Sequence, residues 1–142
     1  MNRQKFMRGE EVVPYLEEQL KNYYFKKKYQ RYEPQQRIVE ALQGFERTIY
    51  VAVATAKRCP YCIATIPMII RLYLLVDNPQ MEMRIFDEKV FVELNVTDDD
   101  KMPQLLVYDE AFNEFFRIDG KEMKEDFENA LETRLAHLGI LS

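Results

Sequence analysis

Two cysteines separated by two residues are the part of the sequence best suited to chemistry. Cys59 and Cys62 enclose Pro60 and Tyr61, and the chain of 142 residues holds no other cysteine. Thiols about one helical turn apart lie close enough to form, break and exchange a disulfide. A chain of this length buries about 70% of the surface that its unfolded form exposes, so it needs no disulfide in order to fold. The pair is therefore better explained by chemistry than by folding.

Four uses of the cysteine pair compete. A structural disulfide would close a loop of only four residues, which contributes little stability, and a cytosolic thiol pool would oppose it. A zinc site lacks ligands, because there is no second cysteine pair and the single histidine, His137, lies far along the chain. Inert core cysteines fit poorly with the neighbouring Lys57, Arg58 and Pro60, which indicate an exposed loop. No metal is predicted.

A redox dithiol is the fourth use, and the neighbouring residues favour it. At a helix N-terminus the Cys59 thiolate would be stabilised by unpaired backbone N–H groups, and Lys57 and Arg58 add charge of the same sign. Pro60 suits the first helical position because it has no N–H to leave unpaired. We therefore predict that Cys59 is the nucleophile and that Cys62, one turn later, resolves the mixed disulfide.

The elements around the pair place it where a strand passes into a helix. The apolar, β-branched run at 48–55 predicts a strand buried on both faces, and the run at 63–76 predicts a strongly apolar helix. The other periodicities predict a strand at 81–86, a helix at 89–95, a hairpin of strands at 104–108 and 114–118, and a last helix at 123–138. This order indicates an α/β fold with a mixed sheet.

The first 46 residues are predicted to form two amphipathic helices, over 11–31 and 34–44, because apolar residues recur there at three- and four-residue spacing. We expect them to be a helical extension, residues 1–46, packed on a domain formed by residues 47–142. The extension carries nine basic against seven acidic residues, whereas the rest carries eleven against seventeen.

From about residue 47 to its C-terminus the chain resembles the thioredoxin-like superfamily of thiol-disulfide oxidoreductases. The resemblance rests on the strand that enters Cys-Pro-Tyr-Cys, on Pro67 in the following helix, on Pro103 ahead of the hairpin, and on Gly120 before the closing helix. It implies a thioredoxin-like fold with a mixed four-stranded sheet flanked by helices, here with two extra N-terminal helices. It also implies that Pro103 is cis and lies against the dithiol, where the backbone of Met102 pairs with an extended substrate chain.

Two positions depart from the thioredoxin pattern. Thioredoxins usually carry Trp before the first cysteine and a buried acid six residues before it, where this chain has Arg58 and Val53. The Pro60-Tyr61 dipeptide is typical of glutaredoxins, which attack glutathione mixed disulfides. The rest of a glutaredoxin glutathione site is not evident, because Met102 replaces the usual Val and no Gly-Gly-x-Asp-like turn follows the hairpin.

The predicted function is that of a cytoplasmic thiol-disulfide oxidoreductase without a cofactor, which reduces or exchanges disulfides in protein substrates through Cys59 and Cys62. Its electron donor would be a thioredoxin-reductase-like enzyme or glutathione. Two alternatives stay open. One is a non-catalytic thioredoxin-like binding or redox-sensing module that docks a partner through the N-terminal helices and their basic cluster. The other is a glutathione-dependent, glutaredoxin-like reductase.

Composition argues against nucleic-acid and membrane partners. The net charge is −4 and the pI about 5.2, whereas nucleic-acid binders are expected to be basic. The only basic cluster, Lys26 to Lys28 with Arg31, is interpreted as a solvated helix face. The longest apolar region, 63–76, is interrupted and too short for a membrane span. No apolar stretch like that of a secretory signal follows the polar N-terminus, so we expect a cytoplasmic protein.

Overall fold

A mixed sheet carries the fold, and one of its inner strands runs into the cysteine pair. The computed structural model describes residues 1–94, 96 and 102–141. The strands are β1 (Glu10–Glu11), β2 (Ile49–Thr55), β3 (Met81–Asp87), β4 (Gln104–Tyr108) and β5 (Glu114–Ile118). The helices are α1 (Arg3–Phe6), α2 (Val12–Gln19), α3 (Tyr23–Arg31), α4 (Gln36–Gln43), α5 (Pro60–Val76), α6 (Glu88–Glu93) and α7 (Gly120–His137).

The strand order in the sheet is β1-β3-β2-β4-β5. Strand β2 runs parallel to β3 and antiparallel to β4, and β4 and β5 form an antiparallel hairpin. The α/β thioredoxin-like fold with its mixed sheet is thereby confirmed. The sheet in the described part of the chain has five strands rather than the predicted four, because β1 adds an antiparallel edge with Glu10 opposite Ile85. A strand of two residues has no alternation that a sequence could display.

Strand β2 is buried on both faces, as its apolar run predicted. Ala52, Val53 and Ala54 have no exposed surface. In the sheet register, Val53 lies between Ile85 of β3 and Leu105 of β4. Full burial of a Val side chain contributes roughly 1.5 to 3 kcal/mol. The strand that leads into the cysteine pair is therefore held firmly in the core.

Helix α5 extends from the cysteine pair through the core. Its Ile66, Ile69 and Ile70 are at most 2% exposed, and the helix packs against α3, α4 and α7. It begins at Pro60, the first helical position that the sequence indicated for this proline and three residues before the apolar run at 63–76, and Cys59 caps it. The first turn of α5 therefore contains the residues between the two cysteines.

The N-terminal part differs from the two helices predicted for it. The single helix expected over 11–31 is two helices, α2 and α3. The break occurs because the side chain of Asn22 accepts a hydrogen bond of 3.1 Å from the backbone N–H of Phe25 and so caps a new helix. Helix α4 begins at Gln36 rather than at Pro34, and α1 was not predicted. Four helices therefore precede β2 where the sequence indicated two.

The N-terminal helices share one hydrophobic core with the sheet. Phe6 has no exposed surface, and its ring centroid lies 5.2 Å from that of Tyr50 in β2. The buried amide of Asn78 donates hydrogen bonds to the carbonyls of Leu42 and Phe45, at 2.9 and 2.8 Å. These contacts attach both ends of the N-terminal part to the body of the fold. The expected division into an extension and a domain stays a prediction.

The C-terminal helix starts earlier than its apolar periodicity indicated. Helix α7 begins at Gly120 rather than at Met123, because Asp119 and Glu122 form a reciprocal capping box at its N-terminus. Helix α6 was predicted to end at Asn95, which lies outside the described residues.

Candidate functional site

The cysteine pair lies at the junction of β2 and α5. Cys59 is the N-cap of α5, and its sulfur accepts a hydrogen bond of 3.1 Å from the backbone N–H of Cys62. Helix α5 is 17 residues long, so the partial positive charge of its N-terminus is fully developed at Cys59. This setting favours negative charge on the Cys59 sulfur.

The two cysteines are joined by a disulfide, with their Cα atoms 5.2 Å apart. They differ in exposure: Cys62 is 3% exposed, whereas Cys59 is only partly buried. A partner molecule can therefore approach the Cys59 side of the bond more readily than the Cys62 side. The family resemblance and this bonded pair together indicate a redox-type function.

The residues that precede the pair bring positive charge to it. Lys57 and Arg58 are exposed. Arg58 has a φ of 58°, a left-handed conformation that costs a non-glycine residue about 1 to 2 kcal/mol. No ion pair or hydrogen bond engages the side chain of either residue among the residues that the structure describes. Two cations that form no ion pair with a described residue therefore lie within two residues of Cys59.

The residues ahead of β4 lie against Cys59. The sulfur of Cys59 is 3.7 Å from the carbonyl oxygen of Met102. The peptide bond between Met102 and Pro103 is cis, and both residues are buried. The backbone of residue 102 thus forms one wall of the site.

Pro60 and Tyr61 form the exposed rim of the site. The ring of Tyr61 is 46% exposed, and the ammonium of Lys124, in α7, lies 4.1 Å from its centroid. The first turn of α5 is thereby joined to α7 by a cation–π contact. The residues singled out from the sequence all meet here, in the loop, the first turn of α5 and the approach to β4: Lys57, Arg58, Cys59, Pro60, Tyr61, Cys62, Met102 and Pro103.

A polar cleft lies behind the pair, and the sequence did not reveal it. Cys62 and Thr55 line it from the body of the fold, and Tyr15 lines it from α2. Burial raises the pKa of Tyr15 above its usual value. Tyr15 is brought here by the packing of α2, which local sequence patterns do not specify.

The acid that thioredoxins bury near the second cysteine is replaced by an apolar residue. Val53 stands at that position and has no exposed surface. Three carboxylates, those of Glu10, Glu18 and Asp87, line the polar cleft instead. The cleft therefore gives Cys62 polar surroundings that β2 itself does not provide.

The described residues hold neither a cluster of metal-ligand side chains nor a helix that could span a membrane. Among residues 1–94, 96 and 102–141, no three His, Cys, Asp or Glu side chains are grouped so that they could hold a metal ion. No helix in this part of the chain combines the length and the apolar character that crossing a membrane requires.

Comparison with known proteins agrees with this geometry. A family model described as Thioredoxin matches residues 9–125. A crystal structure of an HIV epitope-scaffold superposes with a TM-score of 0.75 and 18% sequence identity, over 100% of both chains. A 1.5 Å crystal structure of a protein of unknown function from Pseudomonas aeruginosa superposes with a TM-score of 0.68 and 19% identity, over 98% of each chain. At these identities the two structures show the fold alone. A search of curated proteins found no match.

Proposed function

Because the chain belongs to the thioredoxin family, whose model matches residues 9–125, we propose that it is a thiol-disulfide oxidoreductase acting on disulfides of protein substrates. The observation that carries the proposal is the bonded pair at the N-terminus of α5, in which Cys59 is partly exposed and Cys62 is buried. Such asymmetry suits a two-step exchange, in which one sulfur meets the substrate and the other completes the reaction.

The first step starts from the reduced dithiol. The thiolate of Cys59 attacks one sulfur of the substrate disulfide, and the substrate S–S bond breaks as the bond to Cys59 forms. One substrate sulfur leaves as a thiolate and takes a proton from solvent. The positive end of α5, with Lys57 and Arg58, supports this step because it stabilises the attacking thiolate.

The second step releases the substrate. Cys62 loses its proton and attacks the sulfur of Cys59, which breaks the mixed disulfide and frees the second substrate thiolate. Two electrons have then passed from the protein dithiol to the substrate disulfide, and the protein holds the Cys59–Cys62 bond. Cys62 lines the polar cleft, so water there can accept its proton although Val53 offers no carboxylate.

The backbone of Met102, two residues ahead of β4, would align the substrate. Its carbonyl lies 3.7 Å from the Cys59 sulfur, close enough for an extended chain on either side of a substrate disulfide to pair with this backbone. Met102 and Pro103 are therefore proposed as substrate-binding residues, with Pro60 and Tyr61 as the exposed rim. Regeneration requires a thiol reductant that supplies two electrons, either a thioredoxin-reductase-like enzyme or two molecules of glutathione, which leave as glutathione disulfide.

Reduction of a protein disulfide in the presence of dithiothreitol tests the proposal. We expect the wild-type protein to accelerate the reaction and Cys59→Ser to abolish the acceleration. In a separate reaction without dithiothreitol, the pre-reduced Cys62→Ser protein should accumulate a mixed disulfide through Cys59, visible as an increase in mass. Equal rates for the wild-type and Cys59→Ser proteins would overturn the proposal. Replacing dithiothreitol with glutathione, in a separate arm, identifies the class of donor.

A further inference from the structure

A groove between α3 and α5 opens directly beside the cysteine pair. We call it the α3–α5 groove, and it has a volume of about 490 Å³. It is lined by Tyr24, Lys27, Lys28, Arg31, Pro60, Ile63 and Ala64. Pro60 is covalently joined to Cys59, so one end of the groove begins at the residue that meets the substrate in the proposed reaction.

The charge of the groove is positive throughout. Helices α3 and α5 contain no acidic residue, and α3 carries four basic ones, although the chain as a whole has a net charge of −4. Lys28 and Arg31 are exposed. The groove is therefore positively charged, whereas the chain as a whole has a net negative charge.

Two arginines, one in the groove and one beside it, have no partner among the described residues, whereas Lys27 lies over the ring of Tyr23. Within the described residues, Arg31 and Arg58 are the arginines whose side chains make no ion pair, hydrogen bond or ring contact. The other arginines contact acidic side chains, a tyrosine hydroxyl or an aromatic ring. Arg31 lines the groove and Arg58 precedes Cys59, so both lie where a substrate would approach.

Apolar surface accompanies the charge. Tyr24 is 70% exposed and Ile63 is 36% exposed, and both line the groove. An exposed aromatic ring and an aliphatic side chain between cations fit the alternating apolar and charged groups of a polypeptide better than they fit a bare inorganic anion. The acidic remainder of the chain would repel a long polyphosphate such as a nucleic acid.

We propose that the α3–α5 groove binds an acidic segment of the disulfide-bearing polypeptides that this protein reduces. The inference rests on the proposed function and adds the class of substrate to it. Carboxylates of the segment would pair with Lys27, Lys28 and Arg31, and its apolar side chains would contact Tyr24 and Ile63. The adjacent cysteine of the segment would then be held next to Cys59.

The test compares two peptides that differ only in charge. Each carries one cysteine as a mixed disulfide with pyridine-2-thiol, flanked by glutamates in one peptide and by glutamines in the other. Attack by Cys59 of the pre-reduced protein forms the protein–peptide mixed disulfide and releases pyridine-2-thiol, which is followed by absorbance. We expect the wild-type protein to react about tenfold faster with the acidic peptide at low ionic strength, because complementary charge raises association rates. Added salt should remove this preference.

Charge reversal in the groove supplies the variant. Lys28→Glu/Arg31→Glu should lose the preference for the acidic peptide, while its reaction with uncharged di(2-pyridyl) disulfide stays within about twofold of wild type. Lys28→Gln/Arg31→Gln is measured alongside, because glutamates in the last turn of α3 oppose the helix dipole and can affect folding. The matched control is Lys26→Glu/Lys89→Glu, which makes the same change in net charge at exposed residues outside the groove.

The outcomes separate the inference from the function on which it rests. Equal loss of the preference in the groove variant and the control would overturn the inference, because net charge alone would then explain it. If the groove variant reacts more slowly with oxidised glutathione but keeps its preference for the acidic peptide, the groove binds a small anionic ligand and the inference is overturned. Tighter binding of a single-stranded oligonucleotide than of the acidic peptide would overturn it in favour of a nucleic-acid surface. If Cys59→Ser reacted with the peptides as fast as the wild-type protein does, the proposed function would fail. The inference about the groove would still be tested, because fluorescence anisotropy of the labelled acidic peptide measures its binding to the groove without any reaction.

Discussion

The carbonyl oxygen of Met102 lies 3.7 Å from the sulfur of Cys59, although 43 residues separate them in the sequence. The antiparallel pairing of β2 and β4 produces this contact, because the end of β2 then lies beside the start of β4, with Ala54 opposite Gln104. The cysteine loop follows the first strand and the Met102–Pro103 bond precedes the second. The sheet therefore assembles the site from two distant segments.

Removal of the cations beside Cys59 should slow its reaction with electrophiles. In the reduced protein, Lys57→Gln/Arg58→Gln is expected to lower the alkylation rate of Cys59 by iodoacetamide at neutral pH by about threefold to tenfold, because less of the sulfur is present as thiolate. Lys26→Gln/Lys89→Gln, with the same charge change elsewhere, should leave the rate unchanged. Equal rates for all three proteins would show that α5 alone sets the thiolate population.

The parts of the fold that sequence patterns predicted are the long, periodic ones. Strand β2 and helix α5 display runs of apolar residues long enough to indicate both their type and their junction, and the cysteine pair falls at that junction. The hairpin of β4 and β5 matched at the same bounds, 104–108 and 114–118. Those patterns, together with the spacing of the prolines, were enough to predict the fold and the residues that lie around Cys59.

The parts that sequence patterns could not predict depend on short elements and on packing. Strand β1 has two residues, and the break between α2 and α3 depends on one capping side chain, that of Asn22. The placement of Tyr15 in the polar cleft and of α3 beside α5 follows from tertiary contacts, which no local periodicity encodes. The walls of the site that come from the N-terminal helices were therefore missed.

Close packing at Gly9 predicts a sharp difference between two glycines. A Cβ atom on Gly9 would lie 2.6 Å from ring carbons of Phe86 and 2.8 Å from the Cβ of Arg84. Gly9→Ala should therefore lower the free energy of unfolding by about 1 to 3 kcal/mol, measured by urea denaturation. At Gly44 the nearest atom to an added Cβ is 3.5 Å away, so Gly44→Ala should change stability by less than about 0.5 kcal/mol. Equal effects at the two positions would contradict the packing of residue 9 against β3.

The buried amide of Asn78 should matter for the attachment of the N-terminal helices. It donates to the carbonyls of Leu42 and Phe45, and its own carbonyl accepts from the backbone N–H of Gln80 at 2.9 Å. Asn78→Ala leaves those groups without their partner, which is expected to cost about 2 to 4 kcal/mol in the free energy of unfolding. Asn129→Ala, at an exposed position of α7, is the matched control and should cost less than about 1 kcal/mol. A similar small loss for both variants would contradict the role of Asn78.

Burial of Tyr108 makes the free energy of unfolding depend on pH in the alkaline range. The side chain is 3% exposed, and burial, with a smaller contribution from Glu114, raises the pKa of Tyr108 to about 12. Below about pH 10 the phenol is protonated in both the folded and the unfolded chain, so the raised pKa has no effect on the pH dependence there. Between about pH 10 and pH 12 the unfolded chain loses this proton while the folded chain retains it, so stability falls by up to about 1.4 kcal/mol per pH unit. Tyr108→Phe should make this fall shallower in urea denaturation measured across that range, whereas Tyr24→Phe, at a residue 70% exposed, should leave it unchanged. An unaltered slope in Tyr108→Phe would mean that the folded chain releases the Tyr108 proton as readily as the unfolded chain does.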